Sequence, residues 1–425
     1  MRVERDVAVV LSGGAVNGVL MELGFLKRLR ETELWPRIGW IYGTSAGALA
    51  GTMAALDRLD ELEDFMLRLQ AEETFRPHSL WRLPLLGSHD YRLPETIAER
   101  LGGIRDLARA LATSPVELVV VATDVTDDAH GGGVHAYELV YSSRSTEPET
   151  MAEAMLGSAA ISALVLPRRI GDRIATDGSW VRNFPLGHAY QQPGVELIVS
   201  FRYVPTYPRL TAGWLPTLRR RLERFPKLPP LRALVAELRE AEEREARGEP
   251  AHWGDMIVRL MRVTVQQNTL LEERVAEDTD QALAELAALR EDVAQIVRRE
   301  GGRRGERLAR AVDARFAAAE FPFLESRLIP RIGVRGSAGT LSLETSLRAP
   351  PPWTVEAKRA LIDRGYALLD DVLPERALSP GEPARPRAEV DRDTIGRILA
   401  LPTDHEPAGD LDTAEEPVDD PSAAA

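Results

Sequence analysis

Residues 38–50 read Ile38-Gly39-Trp40-Ile41-Tyr42-Gly43-Thr44-Ser45-Ala46-Gly47-Ala48-Leu49-Ala50. The first five form a short apolar run of the kind that makes a buried strand. The turn Gly43-Thr44-Ser45-Ala46-Gly47 has the spacing G-x-S-x-G, and the small-residue run Ala46–Leu56 after it reads as a tightly packed helix. Upstream, Val7–Leu11 is a second apolar, β-branched run, ending in Ser12-Gly13-Gly14. From Gly18 to Arg30, Leu20, Leu23, Leu26 and Leu29 recur three apart, and Lys27, Arg28 and Arg30 fall at the C-terminal, negative pole of the helix this spacing predicts. Downstream, Val116–Thr123, His135–Ser142 and Glu196–Val204 read as strands and Pro148–Ser158 as a helix. Strands alternating with helices predict an α/β layer with parallel strands.

The chain has 425 residues, room for two to three domains or one large domain with additions. It is 44% apolar and 28% charged, which excludes a wholly disordered or collagen-like chain. Net charge is 53 − 66 = −13, against the basic footprint expected of a nucleic-acid binder. Eight carboxylates and no Lys or Arg lie between Asp404 and Asp420, so much of the acidity sits at the C-terminal end. There is no cysteine, hence no disulfide, thiolate metal site or Cys nucleophile. Val7–Leu11 is too short for a signal-peptide core, and no stretch reaches 18 apolar residues. The expectation is a cytoplasmic chain without a transmembrane helix.

A serine on a G-x-S-x-G turn between strand and helix is held clear of the sheet, where a helix dipole favours developing negative charge. The loop Gly13-Gly14-Ala15-Val16-Asn17-Gly18 lacks the Gly-Lys-Ser/Thr of a P-loop and does not fit G-x-G-x-x-G. As an anion-binding turn it fits: N–H groups of Gly13, Gly14 and Ala15 could face an oxyanion, reinforced by the helix that follows. A serine nucleophile also needs a base. Of the seven histidines only His188 lies close after the acidic turn Asp177-Gly178, and it reads as an exposed or capping residue. Asp177 follows the apolar stretch Ala163–Pro167 and a short segment ending in Ile174-Ala175. It reads as a plain β-turn unless the two motifs above keep it company.

Together these pieces resemble the patatin-like phospholipase family, which orders a glycine-rich oxyanion loop, a G-x-S-x-G elbow and a distant aspartate in a D-G-G or D-G-A turn. Gly13–Gly18, Gly43–Gly47 and Asp177–Ser179 match in that order, supported by Ser158-Ala159-Ala160 with Pro167, by Asn183-Phe184-Pro185 and by Thr123-Asp124. The resemblance spans about residues 5–205, with Lys358–Leu373 similar to the family's closing helix. It implies a three-layer α/β/α domain with a mostly parallel central sheet. It also implies a Ser45/Asp177 dyad, oxyanion donors at Gly13, Gly14 and Ala15, and motif support from Asn17, Gly18, Gly43, Gly47 and Gly178. The implied activity is hydrolysis of lipid acyl esters, phospholipids first, with no metal or cofactor. Three departures stand out: Asn17 replaces the loop's basic residue, Ala15 its third glycine, and Ser179 makes the aspartate turn D-G-S. Asn17 and Ser179 keep open a lipid-binding or scaffold protein of weak activity, and a lipid acyltransferase is a second alternative.

The resemblance implies a core at 5–205 completed by a hairpin and helix at 326–373, while composition marks a mainly helical insertion or cap at 206–325 and a disordered tail at 374–425. The hairpin is expected around Gly336–Gly339, the closing helix over Trp353–Leu373. Leu283, Leu286, Val293 and Ile296 form a helical stripe that reads as core-facing. Trp214, Leu215, Leu218, Leu222 and Phe225, interleaved with Arg219, Arg220, Arg221, Arg224 and Lys227, fit either a cap helix or an interfacial helix in peripheral contact with a membrane. Arg298, Arg299, Arg303, Arg304 and Arg307 read as a solvated turn between helices. The expected partner is a lipid or phospholipid substrate, not nucleic acid.

Overall fold

A computed structural model of the chain describes residues 5–77, 89–126, 136–161, 165–205, 214–224, 229–247, 249, 253–317, 329–338 and 354–373. The strands are β1 (Val7–Leu11), β2 (Ile38–Thr44), β3 (Phe75–Pro77), β4 (His89–Tyr91), β5 (Glu117–Asp124), β6 (Glu138–Ser142), β7 (Arg168–Ile170), β8 (Arg173–Asp177), β9 (Leu197–Pro205) and β10 (Arg331–Ala338). All but β3 and β4, which pair with each other, form one sheet in the order β10-β9-β1-β2-β5-β8-β7, with β6 also on β5.

The strands from β10 to β5 are parallel. The sheet is mostly parallel, as expected; the exceptions lie beyond β5, where β6, β7 and β8 pair antiparallel. The reason is local. Gly171, at φ 62°, sits in the tight turn between β7 and β8, and a connection that short can only join antiparallel strands. β10 also corrects an expectation. It is a parallel partner of β9 with Gly336 inside it, opposite Tyr203, and not at a hairpin turn. Residues 339–347, the rest of that hairpin, lie outside the described residues, as does the tail expected at 374–425.

β1 explains its own composition. Val7, Val9 and Leu11 enter one core, Ala8 and Val10 the other. Alternate side chains point to opposite faces, so a strand covered on both sides is apolar throughout. The first core lies under α1 (Ala15–Arg30), α2 (Ala46–Ala55) and the closing helix Val355–Asp370. The second lies under the short helix Leu186–Gln191 and the middle of the long helix Trp253–Glu300. The protein is therefore an α/β fold with helices on both faces of a mixed, mostly parallel sheet.

The described residues between β9 and β10 are helical: Trp214–Leu222, Pro229–Ala246, the 48-residue Trp253–Glu300 and Gly305–Ala317. The long helix turns Thr269, Glu273, Ala276 and Asp280 inward, three or four residues apart on one face. The stripe expected to face the core is only partly buried. Leu283, Leu286 and Val293 are half-buried, whereas Ile296 is 53% exposed. Arg304 lies in the short turn Gly302–Arg304 before the next helix. Phe225, Lys227 and the side chains of Trp214, Leu215 and Leu218 lie outside the described residues. No described helix is long and apolar enough to cross a membrane.

Candidate active site

Ser45 and Asp177 are 132 positions apart in the chain, yet Ser45 Oγ donates a hydrogen bond to Asp177 Oδ2 at 2.7 Å. The sheet explains the meeting. β2 covers residues 117–121 along one edge of β5, with Thr44 opposite Val121. β8 takes up the same edge at the next position, with Asp177 opposite Ala122, while β6 occupies the other edge. The ends of β2 and β8 therefore abut: Ser45 is the first residue after β2, and Asp177 is the last residue of β8.

Ser45 has φ 53° and ψ −114°, between the end of β2 and the first residue of α2. A non-glycine residue held there costs on the order of 1–3 kcal/mol, which the surroundings must hold in place. Small neighbours make this feasible. A Cβ on Gly47 would stand 2.6 Å from the Leu11 carbonyl oxygen, so α2 can approach β1 only with glycine at that position. Ser158, on the helix Pro148–Ser158, completes the hold. Its hydroxyl accepts the Ser45 N–H at 2.9 Å and donates to the Val121 carbonyl at 2.6 Å. Its carbonyl accepts the Gly178 N–H at 3.3 Å. One residue thus ties the serine turn, β5 and the aspartate turn. Sequence reasoning marked Ser158 only as part of a small-residue segment; nothing in its spacing announces these bonds.

Asp177 is 3% exposed and Ser45 4%. The other carboxylate oxygen, Oδ1, accepts the Ser179 N–H at 2.8 Å. Thr123 donates to the Asp177 carbonyl at 2.8 Å, and the Asp177 N–H reaches the Ala160 carbonyl at 3.0 Å. Burial raises the carboxyl's pKa, opposed by the hydrogen bonds from Ser45 and Ser179. A carboxylate raised out of its ordinary range is better matched to proton transfer near neutral pH.

The glycine loop follows the expectation in part. The N–H of Gly13 donates to the Asn183 carbonyl at 2.9 Å, so Gly13 is not a free donor, and that expectation is corrected. The N–H groups of Gly14 and Ala15 take no hydrogen bond among the described residues. They open α1, whose first turn leaves amides without helical partners. Ala15 has φ 49°, a conformation a third glycine would adopt without strain. Asn17 is buried and turned to the Tyr203 hydroxyl, 3.2 Å away. Gly18 closes the first α1 bond, from its N–H to the Gly14 carbonyl at 2.8 Å. Gly43 ends against Gly47, whose carbonyl oxygen would lie 2.4 Å from an added Cβ. His188 belongs elsewhere: its Nε2 lies 2.8 Å from Glu138, which Arg182 also contacts at 2.5 Å. Burial pushes the Glu138 carboxyl up, but the hydrogen bonds to His188 and Arg182 outweigh it and hold the group down at about 2.

Beside Ser45 lies a narrow apolar cavity, open to solvent on one side, with about 70 Å³ of room for the centres of water-sized spheres. Ala46, Leu49 and Met53 line it from α2, and Leu62, Phe65 and Met66 from the helix Leu59–Arg68. Met53 is eight residues beyond Ser45, so the cavity follows α2 for about 12 Å. Among the described residues no group of three or more His, Asp or Glu side chains could hold a metal ion.

Residues 9–190 match the family model described as patatin-like phospholipase. Among solved structures, the chain is similar to the crystal structure of VipD from Legionella pneumophila. Identity is 14%, over 87% of this chain and 67% of that one, with a TM-score of 0.34, a likeness too loose to carry an argument. No curated protein matches the chain.

Proposed function

We propose, because residues 9–190 match the patatin-like phospholipase model, that the chain is a lipid acyl hydrolase with Ser45 as nucleophile and Asp177 as base. The observation that carries this reading is the 2.7 Å hydrogen bond between the two side chains beside an apolar cavity. Ser45 Oγ attacks the ester carbonyl carbon as its proton passes to Asp177. The carbonyl oxygen gains the negative charge and meets the N–H groups of Gly14 and Ala15. Loss of one such donor typically costs about 100- to 1,000-fold in rate. The tetrahedral intermediate collapses, the C–O bond to the alcohol breaks, and Asp177 returns the proton to the leaving oxygen. Water then attacks the acyl-serine with Asp177 again taking the proton, and collapse frees the acid and re-forms the Ser45 hydroxyl. The acyl chain lies along α2, since a cavity lined by Leu, Met and Phe favours an alkyl chain over a polar group.

The test uses a fluorophosphonate probe and a p-nitrophenyl ester. Labelling at Ser45, located by peptide mass spectrometry, and loss of turnover in Ser45→Ala are the expected results. Labelling at another serine, or equal turnover by Ser45→Ala, overturns the proposal. An added acceptor alcohol distinguishes water from alcohol as final acceptor: a transfer ester in place of free acid makes the chain an acyltransferase. Cavity filling gives a second result. Leu49→Trp narrows the cavity four residues along α2 from Ser45, so kcat/KM for palmitoyl over acetyl esters is expected to fall about tenfold or more.

The same reading bears on the helix Trp214–Leu222. Arg219 pairs with Glu223 and Glu242 at 2.9 and 2.8 Å, joining it to the next helix. Arg220 and Arg221 on the same helix are exposed, so the pairing ties the two helices together and leaves both the cap and the interfacial reading open.

A further inference from the structure

The segment after the aspartate, Ser179–Arg182, is a single helical turn. In a continuing helix the N–H of Asn183 would donate to the carbonyl of Ser179, four residues back. Here the side chain of Asn268, from the long helix, stands between the two groups. Its Nδ2 donates to the Ser179 carbonyl at 2.7 Å and to that of Trp180 at 3.2 Å. Its Oδ1 accepts the Asn183 N–H at 3.2 Å. Carbonyls on one side and an N–H on the other fix which end of the carboxamide is which.

The next residue repeats the theme. Thr269 donates its hydroxyl to the Val265 carbonyl at 2.8 Å and so accepts from Asn183 Nδ2 at 2.9 Å. One turn further on, Glu272 accepts the Gly187 N–H at 3.2 Å and contacts Arg182. Each end of the bracketed turn leads to one half of the site. The Ser179 N–H holds Asp177 Oδ1, and the Asn183 carbonyl holds the N–H of Gly13.

We propose that Asn268 is a positioning residue for the acyl-transfer site, setting the base and the glycine loop relative to each other from outside residues 9–190. The proposal rests on the hydrolase reading above for its kinetic consequence, and on geometry alone for its structural one. A side chain on the long helix thereby reaches the reacting groups through one turn of chain. A displacement of that helix would shift Asp177 and the Gly14 and Ala15 donors together.

The test compares wild type with Asn268→Leu, which keeps the bulk and removes every hydrogen bond. Gln267→Leu, at an exposed position on the same helix, is the control. The readouts are kcat and KM on a p-nitrophenyl ester and amide hydrogen exchange of the full chain. Asn268→Leu is expected to lower kcat roughly tenfold to hundredfold with KM within about twofold, since displacement by about 1 Å can cost a hundredfold. Faster exchange is expected in peptides covering 12–18 and 177–184 alone, and the control should match wild type. Unchanged kcat and exchange overturn the proposal, as does faster exchange throughout the core, which marks a purely structural role. Should leucine prevent folding, Asn268→Asp keeps the acceptor for Asn183 and loses both donations, and the same two outcomes decide. If wild type shows no Ser45-dependent turnover, the hydrolase reading falls, while exchange still judges the positioning of the two segments.

Discussion

Replacing Asp177 by asparagine is expected to stop turnover and raise the unfolding temperature together. The loss is that of a general base, about 100- to 10,000-fold in kcat. Geometry should survive, because asparagine can accept the Ser179 N–H through oxygen and donate to Ser45 Oγ through nitrogen. The gain in stability follows from burial. Asp177 has a folded pKa above its ordinary value, chiefly through desolvation. A group raised in this way adds stability below its unfolded pKa, and that contribution is lost as pH rises through the folded pKa. At neutral pH the ionised carboxylate therefore costs stability that asparagine does not. The difference in melting temperature between Asp177→Asn and wild type should shrink as pH falls toward the ordinary carboxylate value. Calorimetry at pH 7 and pH 4 checks this, and equal differences at both would contradict it. The same shift moves the acid limb of the wild-type rate profile, since a protonated Asp177 cannot take a proton. The limb should lie above the ordinary carboxylate range.

Gly178→Ala is the second large effect, although it touches neither reacting group. Gly178 has φ −65° and ψ −16°, which any residue could adopt, so the requirement is one of space. An added Cβ would stand 2.2 Å from the Val121 carbonyl oxygen and 2.9 Å from Thr44 Cγ2. The carbonyl oxygen cannot yield without moving β5, and the Thr44 methyl can turn away only by giving up the hydroxyl's bond to the Arg182 carbonyl at 2.9 Å. Overpacking of this kind costs about 1–3 kcal/mol. The strain falls at the junction of β2 and β8, so kcat should drop as well, by as much as about a hundredfold if the carboxylate shifts by about 1 Å. A denaturant midpoint and a kcat both at wild-type values would show that the methyl group fits and that the junction is looser than described.

These two positions also show how far the sequence could be read. Ser45 was legible because its small-residue turn sits between an apolar run and a helix, a local pattern. Asp177 was legible only beside that pattern, since an Asp-Gly pair alone reads as a β-turn. The strands around them were local signals too, and most lie within two residues of their expected ends. What could not be read was pairing. No periodicity tells that β8 returns antiparallel from a hairpin to continue the edge left by β2. Nor does spacing show that the Gly13 N–H is taken by Asn183, a bond between segments 170 positions apart. Asn268 was invisible for the same reason: one polar residue in a long helix, with its partners 85 to 89 positions earlier.

The abutting ends of β2 and β8 make β5 a ruler for the pair. Neighbouring ruler marks are about 3.3 Å apart, and successive marks face opposite sides. A slip of β8 by one mark would carry the carboxylate away from the serine and turn it to the wrong side of the layer. Half-competent intermediates have no place on such a scale. A preparation containing misassembled molecules should therefore behave as a mixture of fully competent and inert ones, with titratable serine falling in step with specific activity.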